Sequence, residues 1–253
     1  MAESLIFDVD GTLAETEELH RRAFNEAFAA AGLGWHWDRA AYGRLLKTTG
    51  GKERIARFVT ELGEVPQDYP IAALHAAKTA RFVDLMARGE VTLRPGIADL
   101  IAEARAAGLR LAIATTTTPA NVEALALACF GRPAAQVFDV IAAGDMVAAK
   151  KPAPDVYLLA LQELGLRADQ AVALEDSRNG LLAAKAAGLA CAVSPGVYTT
   201  GEDFTGADLV LGCFADLGGL AGLRKLLNDP EGRAVVSRKY HAKTMNSGSG
   251  RES

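Results

Sequence analysis

The sequence predicts an α/β protein with a doubly wound parallel sheet as its core and an all-helical cap domain inserted after the first strand. Two patterns support this fold. From residue 93 onward, short apolar runs alternate with longer segments rich in alanine and leucine, as in parallel sheets whose strands are joined by helices. Residues 15–94 instead show apolar positions at helical spacing and no strand-like run.

The predicted strands are short apolar runs that can be buried on both faces of a sheet. They cover residues 4–9, 109–114, 138–142, 171–174, 190–193 and 209–211. The helices predicted between them cover residues 97–107, 121–129, 154–164 and 180–187. Gly108, Gly165 and Gly188 follow three of these helices, where a C-cap with positive φ favours glycine.

The cap is predicted from three amphipathic segments. The first places Leu19, Ala23, Phe24 and Phe28 on one helical face, and similar patterns cover residues 53–62 and 71–86. Pro95 and Gly96 mark the return to the sheet. We therefore assign residues 1–14 and 95–228 to the core domain and residues 15–94 to the cap domain. The polar segment 229–253 is predicted to be a disordered tail.

Composition excludes several classes of protein. The chain has 253 residues and a formal net charge of −4, and without a basic cluster it lacks the usual means of binding nucleic acid. No apolar run approaches the ~20 residues that span a bilayer. Three scattered cysteines are typical of reduced thiols rather than a disulfide or zinc site. We expect a cytoplasmic monomer that acts on a small molecule, with no nucleic-acid or membrane partner.

Reactive side chains follow four of the predicted strands. In chain order these are Asp8-Val9-Asp10-Gly11-Thr12, then Thr115 to Thr118, then Lys150-Lys151-Pro152, and finally Glu175-Asp176-Ser177. Each motif alone could be a turn, a helix cap or a solvated loop. Because the carboxyl ends of parallel strands meet at one edge, where such folds bind ligands, the four motifs together predict a functional site.

The charges of this site indicate its chemistry. Asp8, Asp10, Glu175 and Asp176 would place four carboxylates in one cleft, and hard oxygen ligands of this kind suit Mg²⁺. Lys151 adds a fixed cation and Thr115 a hydroxyl donor. Such a set can position a phosphoryl group, neutralise its charge and transfer it to a carboxylate.

The four motifs, in this order, resemble those of the haloacid dehalogenase superfamily, and the helical insert resembles the cap of its β-phosphoglucomutase-like branch. The resemblance covers residues 4 to about 220. Within that branch, residues 16–20, 48–54 and 75–78 are most similar to the CbbY-type phosphatases. Those enzymes act on xylulose 1,5-bisphosphate, an inhibitory by-product of Rubisco.

The resemblance implies a Rossmann-like core and a role for each core residue. Asp8 would be the nucleophile, and Asp10 would protonate the leaving oxygen and then activate water. Asp8, the main-chain carbonyl of Asp10 and Asp176 would hold Mg²⁺, supported by Glu175. Thr115 and Lys151 would complete the catalytic set by holding the transferring phosphoryl group.

The cap is predicted to bind the rest of the substrate. Free backbone N–H groups at Gly50 and Gly51, followed by Lys52, form an anion site on physical grounds alone. The spacing of His75, Lys78 and Arg81 suits one helix face, as does that of Thr16 and His20. With the resemblance, the predicted substrate-binding set is Asp8, Thr16, Glu17, His20, Gly50, Gly51, Lys52, Glu53, Arg54, His75, Lys78, Arg81, Thr115, Thr116, Thr117 and Asn121.

These observations predict a Mg²⁺-dependent phosphatase that converts a sugar bisphosphate, xylulose 1,5-bisphosphate, to xylulose 5-phosphate through an aspartyl-phosphate. A β-phosphoglucomutase-like sugar-phosphate mutase stays open as an alternative, because it would use the same pair of aspartates. A receiver-like phosphoacceptor module also combines acids, a threonine and a lysine around Mg²⁺. Its phosphorylated aspartate and acid pair lie on different strands, however, whereas Asp8 and Asp10 share one.

Overall fold

Six parallel strands form the centre of the protein, which the computed structural model describes over residues 2–228. The strands are β1 (Ser4–Phe7), β2 (Arg110–Thr115), β3 (Val140–Ala143), β4 (Ala171–Glu175), β5 (Ala190–Val193) and β6 (Leu209–Val210). Their order in the sheet is β3-β2-β1-β4-β5-β6, and every neighbouring pair is parallel. The predicted fold class is confirmed. The predicted disordered tail, residues 229–253, lies outside the described residues.

The helices fall into two groups along the chain. Four precede the return to the sheet: α1 (Glu17–Ala30), α2 (Arg39–Leu45), α3 (Gly51–Glu61) and α4 (Ile71–Ala87). The others alternate with the strands: α5 (Ile97–Ala106), α6 (Pro119–Phe130), α7 (Ala134–Val137), α8 (Asp155–Leu164), α9 (Arg178–Ala186) and α10 (Gly219–Asn228). This alternation places helices on both faces of the sheet.

Each face of the sheet has its own apolar core. Phe7 and Ile113 belong to the cluster that includes α5 and α6 residues, and Ile6 and Ala112 belong to the cluster that includes α8 and α9 residues. Successive strand residues point to opposite faces, which explains why these strands are apolar at nearly every position.

The sheet topology determines where a ligand can bind. Strand order reverses between β1 and β4, so the connections that leave these two strands diverge and open a crevice at their carboxyl ends. Asp8 follows β1 and Glu175 ends β4. The motifs singled out in the sequence therefore lie at this crevice.

The helical insert has an aromatic core that is separate from the two sheet cores. Trp37 is fully buried and packs against Phe24 and Phe28, with ring centroids 4.6 and 4.9 Å away. The Asn25 side chain accepts a hydrogen bond from the Trp37 backbone N–H (2.8 Å) and donates one to its carbonyl (2.9 Å). The tryptophans are thus packing residues, since Trp35 packs against the same cluster.

Some predicted boundaries were wrong. The first strand ends at Phe7 rather than at residue 9, because the chain turns at once: the Leu13 N–H donates to the Val9 carbonyl. Helix α2 was not predicted. Its signal was Asp38, whose carboxylate accepts a hydrogen bond from the Ala41 N–H at 2.7 Å as an N-cap.

Two further sequence expectations concern cysteines and membranes. Cys129, Cys191 and Cys213 are free thiols in the structure. Over residues 2–228 no helix combines the length and the apolar character that crossing a membrane requires.

The cap core gives a stability prediction. Replacing Phe28, which is fully buried, with alanine should lower the free energy of unfolding of the cap by about 3–5 kcal/mol, the usual cost of such a cavity. Both tryptophans of the chain lie in this cap, so their fluorescence during urea unfolding reports on it. The control Leu62→Ala, at a side chain that is 47% exposed, should change the value by less than about 0.5 kcal/mol. Equal effects of the two variants would contradict this account of the cap.

Candidate active site

The turn after β1 brings the first acidic motif against the last. Gly11 has φ 87°, and a Cβ at this position would lie 2.3 Å from Oδ2 of Asp176. Only glycine combines this backbone conformation with so close an approach. The sequence Asp8-Val9-Asp10-Gly11 therefore turns tightly enough for its acids to lie beside Asp176.

Lys151 is the buried cation of the site. Its Nζ lies 2.7 Å from Oδ1 of Asp8 and 2.6 Å from Oε1 of Glu175. Burial alone would lower the pKa of Lys151, but the charges of the two carboxylates outweigh it and hold this pKa above its usual value. Lys151 is therefore a permanent cation between two acids.

Glu175 is enclosed on every side. Its Oε1 also accepts a hydrogen bond from the Tyr157 hydroxyl at 2.5 Å. A Cβ at Gly180, at the start of α9, would lie 1.9 Å from its Oε2, so this helix can approach the carboxylate only with glycine there. These contacts fix Glu175 in one position and identify it as a support for Lys151.

Three buried carboxylates form a cluster suited to a cation. Asp8, Glu175 and Asp176 each offer an oxygen within 4.8 Å of the others. Burial raises the pKa of Asp8 to about 7, with Glu175 adding to the shift and Lys151 opposing it. Burial, followed by the charges of Asp8 and Glu175, also raises the pKa of Asp176 well above its usual value. The single positive charge of Lys151 does not neutralise the three carboxylates. Because all the donor atoms of this cluster are oxygens, it fits a hard divalent ion.

Asp10 faces away from this cluster and towards the cap. Its Oδ1 accepts hydrogen bonds from the Thr16 hydroxyl (2.6 Å) and from Nε2 of His20 (2.9 Å). Burial would raise the pKa of Asp10, but His20 and Thr16 outweigh it and hold this pKa well below its usual value. Asp10 is therefore ionised in this arrangement and is connected to a proton-carrying side chain.

Lys78 supports His20 from behind. Its Nζ lies 2.6 Å from Nδ1 of His20, and the His20 ring stacks on Phe82 with centroids 3.9 Å apart. A protonated Lys78 can only donate, so Nδ1 accepts and Nε2 carries the proton directed at Asp10. Burial lowers the pKa of Lys78 to about 7, so this group can change its charge near neutral pH.

Four consecutive threonines, Thr115 to Thr118, form another wall of the cleft. The Thr115 hydroxyl accepts a hydrogen bond from the Thr117 N–H (3.3 Å), and the Asn121 side-chain amide donates to the Thr117 hydroxyl (2.8 Å). The Asn121 amide oxygen is buried, and no group among residues 2–228 donates to it. This wall carries hydroxyl groups at the N-terminal end of α6, where an anion is favoured.

The cap contacts the core directly over this site. Lys52 forms an ion pair with Asp145 at 2.5 Å, the Thr49 hydroxyl donates to the Lys151 carbonyl, and the Asn179 amide donates to the Lys47 carbonyl at 3.2 Å. The site is therefore a cleft enclosed by both parts of the chain.

The cleft brings together most of the residues predicted from the sequence. Those that line it are Asp8, Asp10, Glu17, His20, Gly50, Gly51, Lys52, Glu53, Arg54, His75, Lys78, Thr115, Thr116, Thr117, Asn121, Lys151 and Asp176. These positions are compatible with the roles predicted for the residues, and the roles themselves stay predictions.

Two residues of the predicted substrate set do not line the cleft. Thr16 is fully buried and bonded to Asp10 instead. Arg81 pairs with Glu26 of α1 at 2.8 Å, because six positions along α4 turn it about 120° away from the face of His75. Arg81 is therefore withdrawn as a substrate ligand.

Sequence reasoning missed residues that position the acids. The Thr199 hydroxyl donates to the Asp176 carbonyl at 2.8 Å. Arg94, next to Pro95, is buried and donates to the Gly11 carbonyl and to the carbonyls of Ser194 (2.7 Å) and Pro195 (2.9 Å). Thr199 has no local motif, but an arginine at the return from the cap was a signal that could have been used.

Comparison with known proteins agrees with this geometry. A family model described as haloacid dehalogenase-like hydrolase matches residues 3–188. Protein CbbY of Cereibacter sphaeroides is 68% identical over 223 residues, which is 88% of this chain and 97% of that protein.

Two solved structures are also similar. A crystal structure of CbbY (mutant D10N) from Rhodobacter sphaeroides in complex with xylulose 1,5-bisphosphate has a TM-score of 0.86 and 68% identity, covering 88% of this chain and 99% of that one. A β-phosphoglucomutase from Clostridium difficile has a TM-score of 0.76 over 90% of this chain and 98% of that one. At 21% identity the latter shows a shared fold alone.

The electrostatics of the acid cluster predict how stability depends on pH without metal. The pKa of Asp8 rises from 3.8 to about 7 on folding, so the native state binds the extra proton and its stability falls as pH rises between these values. In EDTA, the free energy of unfolding should therefore fall from pH 5 to pH 8 by more than about 1.4 kcal/mol, the equivalent of one pKa unit. Urea titrations at the two pH values measure this fall.

Asp8→Asn should reduce that fall, because asparagine does not ionise, whereas Asp99→Asn, at an exposed position, should leave it unchanged. Mg²⁺ added at pH 8 should raise the stability of the wild type, since it binds the folded state only. An Asp8→Asn protein with the full pH dependence of the wild type would show that the cluster is not the source.

Proposed function

The chain belongs to the haloacid dehalogenase-like hydrolases, and from this premise we propose that it is a Mg²⁺-dependent phosphatase that hydrolyses xylulose 1,5-bisphosphate to xylulose 5-phosphate. One observation carries the proposal. A single cleft joins the Lys151-bound Asp8 at the core to Arg54 and Glu17 of the cap. One end suits a phosphoryl group that is transferred, and the other suits a second anion with neighbouring hydroxyls. The CbbY complex with xylulose 1,5-bisphosphate supports this choice of substrate.

Asp8 is the proposed nucleophile. Lys151 binds its Oδ1, and within residues 2–228 no hydrogen bond engages Oδ2, which is free to attack phosphorus. As the Asp8–phosphorus bond forms, the bond from phosphorus to the sugar oxygen breaks. Lys151 and the Thr115 hydroxyl lie where they can stabilise the charge of the transferring group.

Asp10 is the proposed acid and base. It donates a proton to the leaving sugar oxygen, and then takes one from the water that attacks the aspartyl-phosphate and releases inorganic phosphate. The carboxylate is ionised in this arrangement, so it must first receive a proton. Nε2 of His20, at 2.9 Å, can give its proton to Asp10 as Nδ1 takes one from the Lys78 ammonium at 2.6 Å, so that the imidazole stays neutral.

Mg²⁺ fits the buried acids. The Asp8 carboxylate, the Asp10 main-chain carbonyl and the Asp176 carboxylate would hold it, with Glu175 kept nearby by Lys151 and Tyr157. When bound, the ion would neutralise charge on the phosphoryl group. Thr199 contributes by donating its hydroxyl proton to the Asp176 carbonyl at 2.8 Å.

Arg54 is the proposed ligand of the second phosphate. Lys52 lines the same cleft but pairs with Asp145, and Lys78 is engaged with His20. In the described part of the chain Arg54 forms no ion pair and its Nη2 has no partner, while Nη1 bonds to Tyr42 and Nε lies 3.4 Å from the Thr48 carbonyl. A monophosphate bound at Asp8 would leave the Nη2 donors of Arg54 without a partner.

A panel of sugar mono- and bisphosphates tests the proposal, with release of phosphate and formation of isomers both measured. Xylulose 1,5-bisphosphate should have the highest kcat/KM, and EDTA should stop its turnover until Mg²⁺ is restored. Isomer formation without net phosphate release would identify a mutase instead. Preference for a monophosphate would reject the bisphosphate.

Variants of Arg54 and Lys151 should separate the two ends of the cleft. Arg54→Ala should lower kcat/KM for the bisphosphate by about 10- to 150-fold, the equivalent of one charge-assisted hydrogen bond. It should barely affect 4-nitrophenyl phosphate, which does not reach the cap. Lys151→Ala should impair both substrates, and Arg57→Ala, an exposed arginine on the same helix, should impair neither. Equal losses on both substrates for Arg54→Ala would contradict the role given to Arg54.

A further inference from the structure

Tyr42 joins the two cap residues that face the substrate but does not itself line the cleft. Its side chain is fully buried. The hydroxyl lies 2.6 Å from Oε2 of Glu17 and 3.1 Å from Nη1 of Arg54. Because a guanidinium only donates and a carboxylate only accepts, the hydroxyl accepts from Arg54 and donates to Glu17. One phenol oxygen therefore fixes both side chains.

The ring of Tyr42 adds a second constraint. The guanidinium carbon of Arg54 lies 5.3 Å from the centroid of the Tyr42 ring and 6.0 Å from that of Phe24, within the range of cation–π attraction. The Tyr42 ring also packs against the rings of Trp37 and Tyr198, with centroids 6.1 and 5.5 Å away. These contacts fix the position of the Tyr42 ring, and the Arg54 guanidinium packs against that ring.

The hydroxyl also keeps two opposite charges apart. Glu17 and Arg54 form no ion pair with each other, although both bond to the same oxygen. Burial, with the charge of Glu17, raises the pKa of Tyr42 well above its usual value, so the hydroxyl keeps its proton. Without it, Arg54 could swing onto Glu17, and each would neutralise the other.

We propose that Tyr42 is a positioning residue for substrate choice: it holds Arg54 and Glu17 at a fixed spacing, so that the cap selects a ligand with a phosphate and a nearby hydroxyl on one carbon chain. This role of Tyr42 rests on the function proposed above, and it adds the residue that sets the distance between Arg54 and Glu17. Nη2 of Arg54 and Oε1 of Glu17 have no partner within residues 2–228. The first offers donors to a phosphate, and the second accepts from a sugar hydroxyl.

Tyr42→Phe tests the proposal because it removes the hydroxyl and keeps the ring. The panel first establishes which sugar phosphate the wild type prefers, and the variant is measured on that substrate. We expect KM to rise about 10-fold or more, as after loss of a hydrogen bond to charged groups, with kcat within about 2-fold, as for lost ground-state binding. KM for 4-nitrophenyl phosphate should stay within about 2-fold.

Tyr69→Phe is the matched control. Its hydroxyl also bonds to a glutamate, Glu64, in the same helical insert, but this hydrogen bond is exposed and neither residue lines the cleft. Tyr69→Phe should leave KM and kcat unchanged for both the preferred sugar phosphate and 4-nitrophenyl phosphate. Tyr42→Phe should also keep the tryptophan fluorescence and unfolding midpoint of the wild type, so that any change in KM reflects positioning.

A double-mutant cycle adds a readout that a structural role would not give. In an Arg54→Ala background, Tyr42→Phe should raise KM by clearly less than it does in the wild type, since one of the two groups that it positions is absent. Additive losses, an unchanged KM on the preferred substrate, or equal losses on 4-nitrophenyl phosphate would overturn the role of Tyr42. If the preferred substrate is a monophosphate, the proposed bisphosphatase function fails separately, and Tyr42 is still tested on that substrate.

Discussion

The ion pairs of one buried ammonium group hold the core end of this site in place. Lys151 bridges Asp8, from the turn after β1, and Glu175, from the end of β4, across the point where the strand order reverses. Burying these carboxylates beside Asp176 costs free energy that one lysine offsets only in part. The remaining negative charge is the physical reason why the cluster suits a divalent cation.

At the cap end of the cleft, hydrogen bonds keep charged side chains available to a ligand. Asp10 is held by Thr16 and His20, away from the cluster of Asp8, Glu175 and Asp176. Arg54 and Glu17 are held apart by one tyrosine hydroxyl. The core therefore concentrates negative charge that suits a cation, and the cap keeps a positive group free.

The strands and most of the helices could be predicted from the sequence, because apolar periodicity is set by burial on one or two faces of an element. The core motifs could be placed as well, since the ends of parallel strands share an edge. The partners chosen by long side chains could not be predicted. Spacing allowed Arg81 to reach the substrate, yet it pairs with Glu26. Tyr42 lies on a short helix and acts through residues 12 and 25 positions away, a relation that no local pattern records.

In the proposed reaction, Asp8 carries the phosphoryl group. The aspartyl-phosphate should therefore be captured when the wild type is quenched during turnover of xylulose 1,5-bisphosphate with Mg²⁺. Borohydride reduces an acyl phosphate to the alcohol, and peptide mass spectrometry locates the residue. We predict homoserine at position 8, and none when Asp8→Asn is treated in the same way. Reduction at another residue, or the same product from Asp8→Asn, would contradict the account.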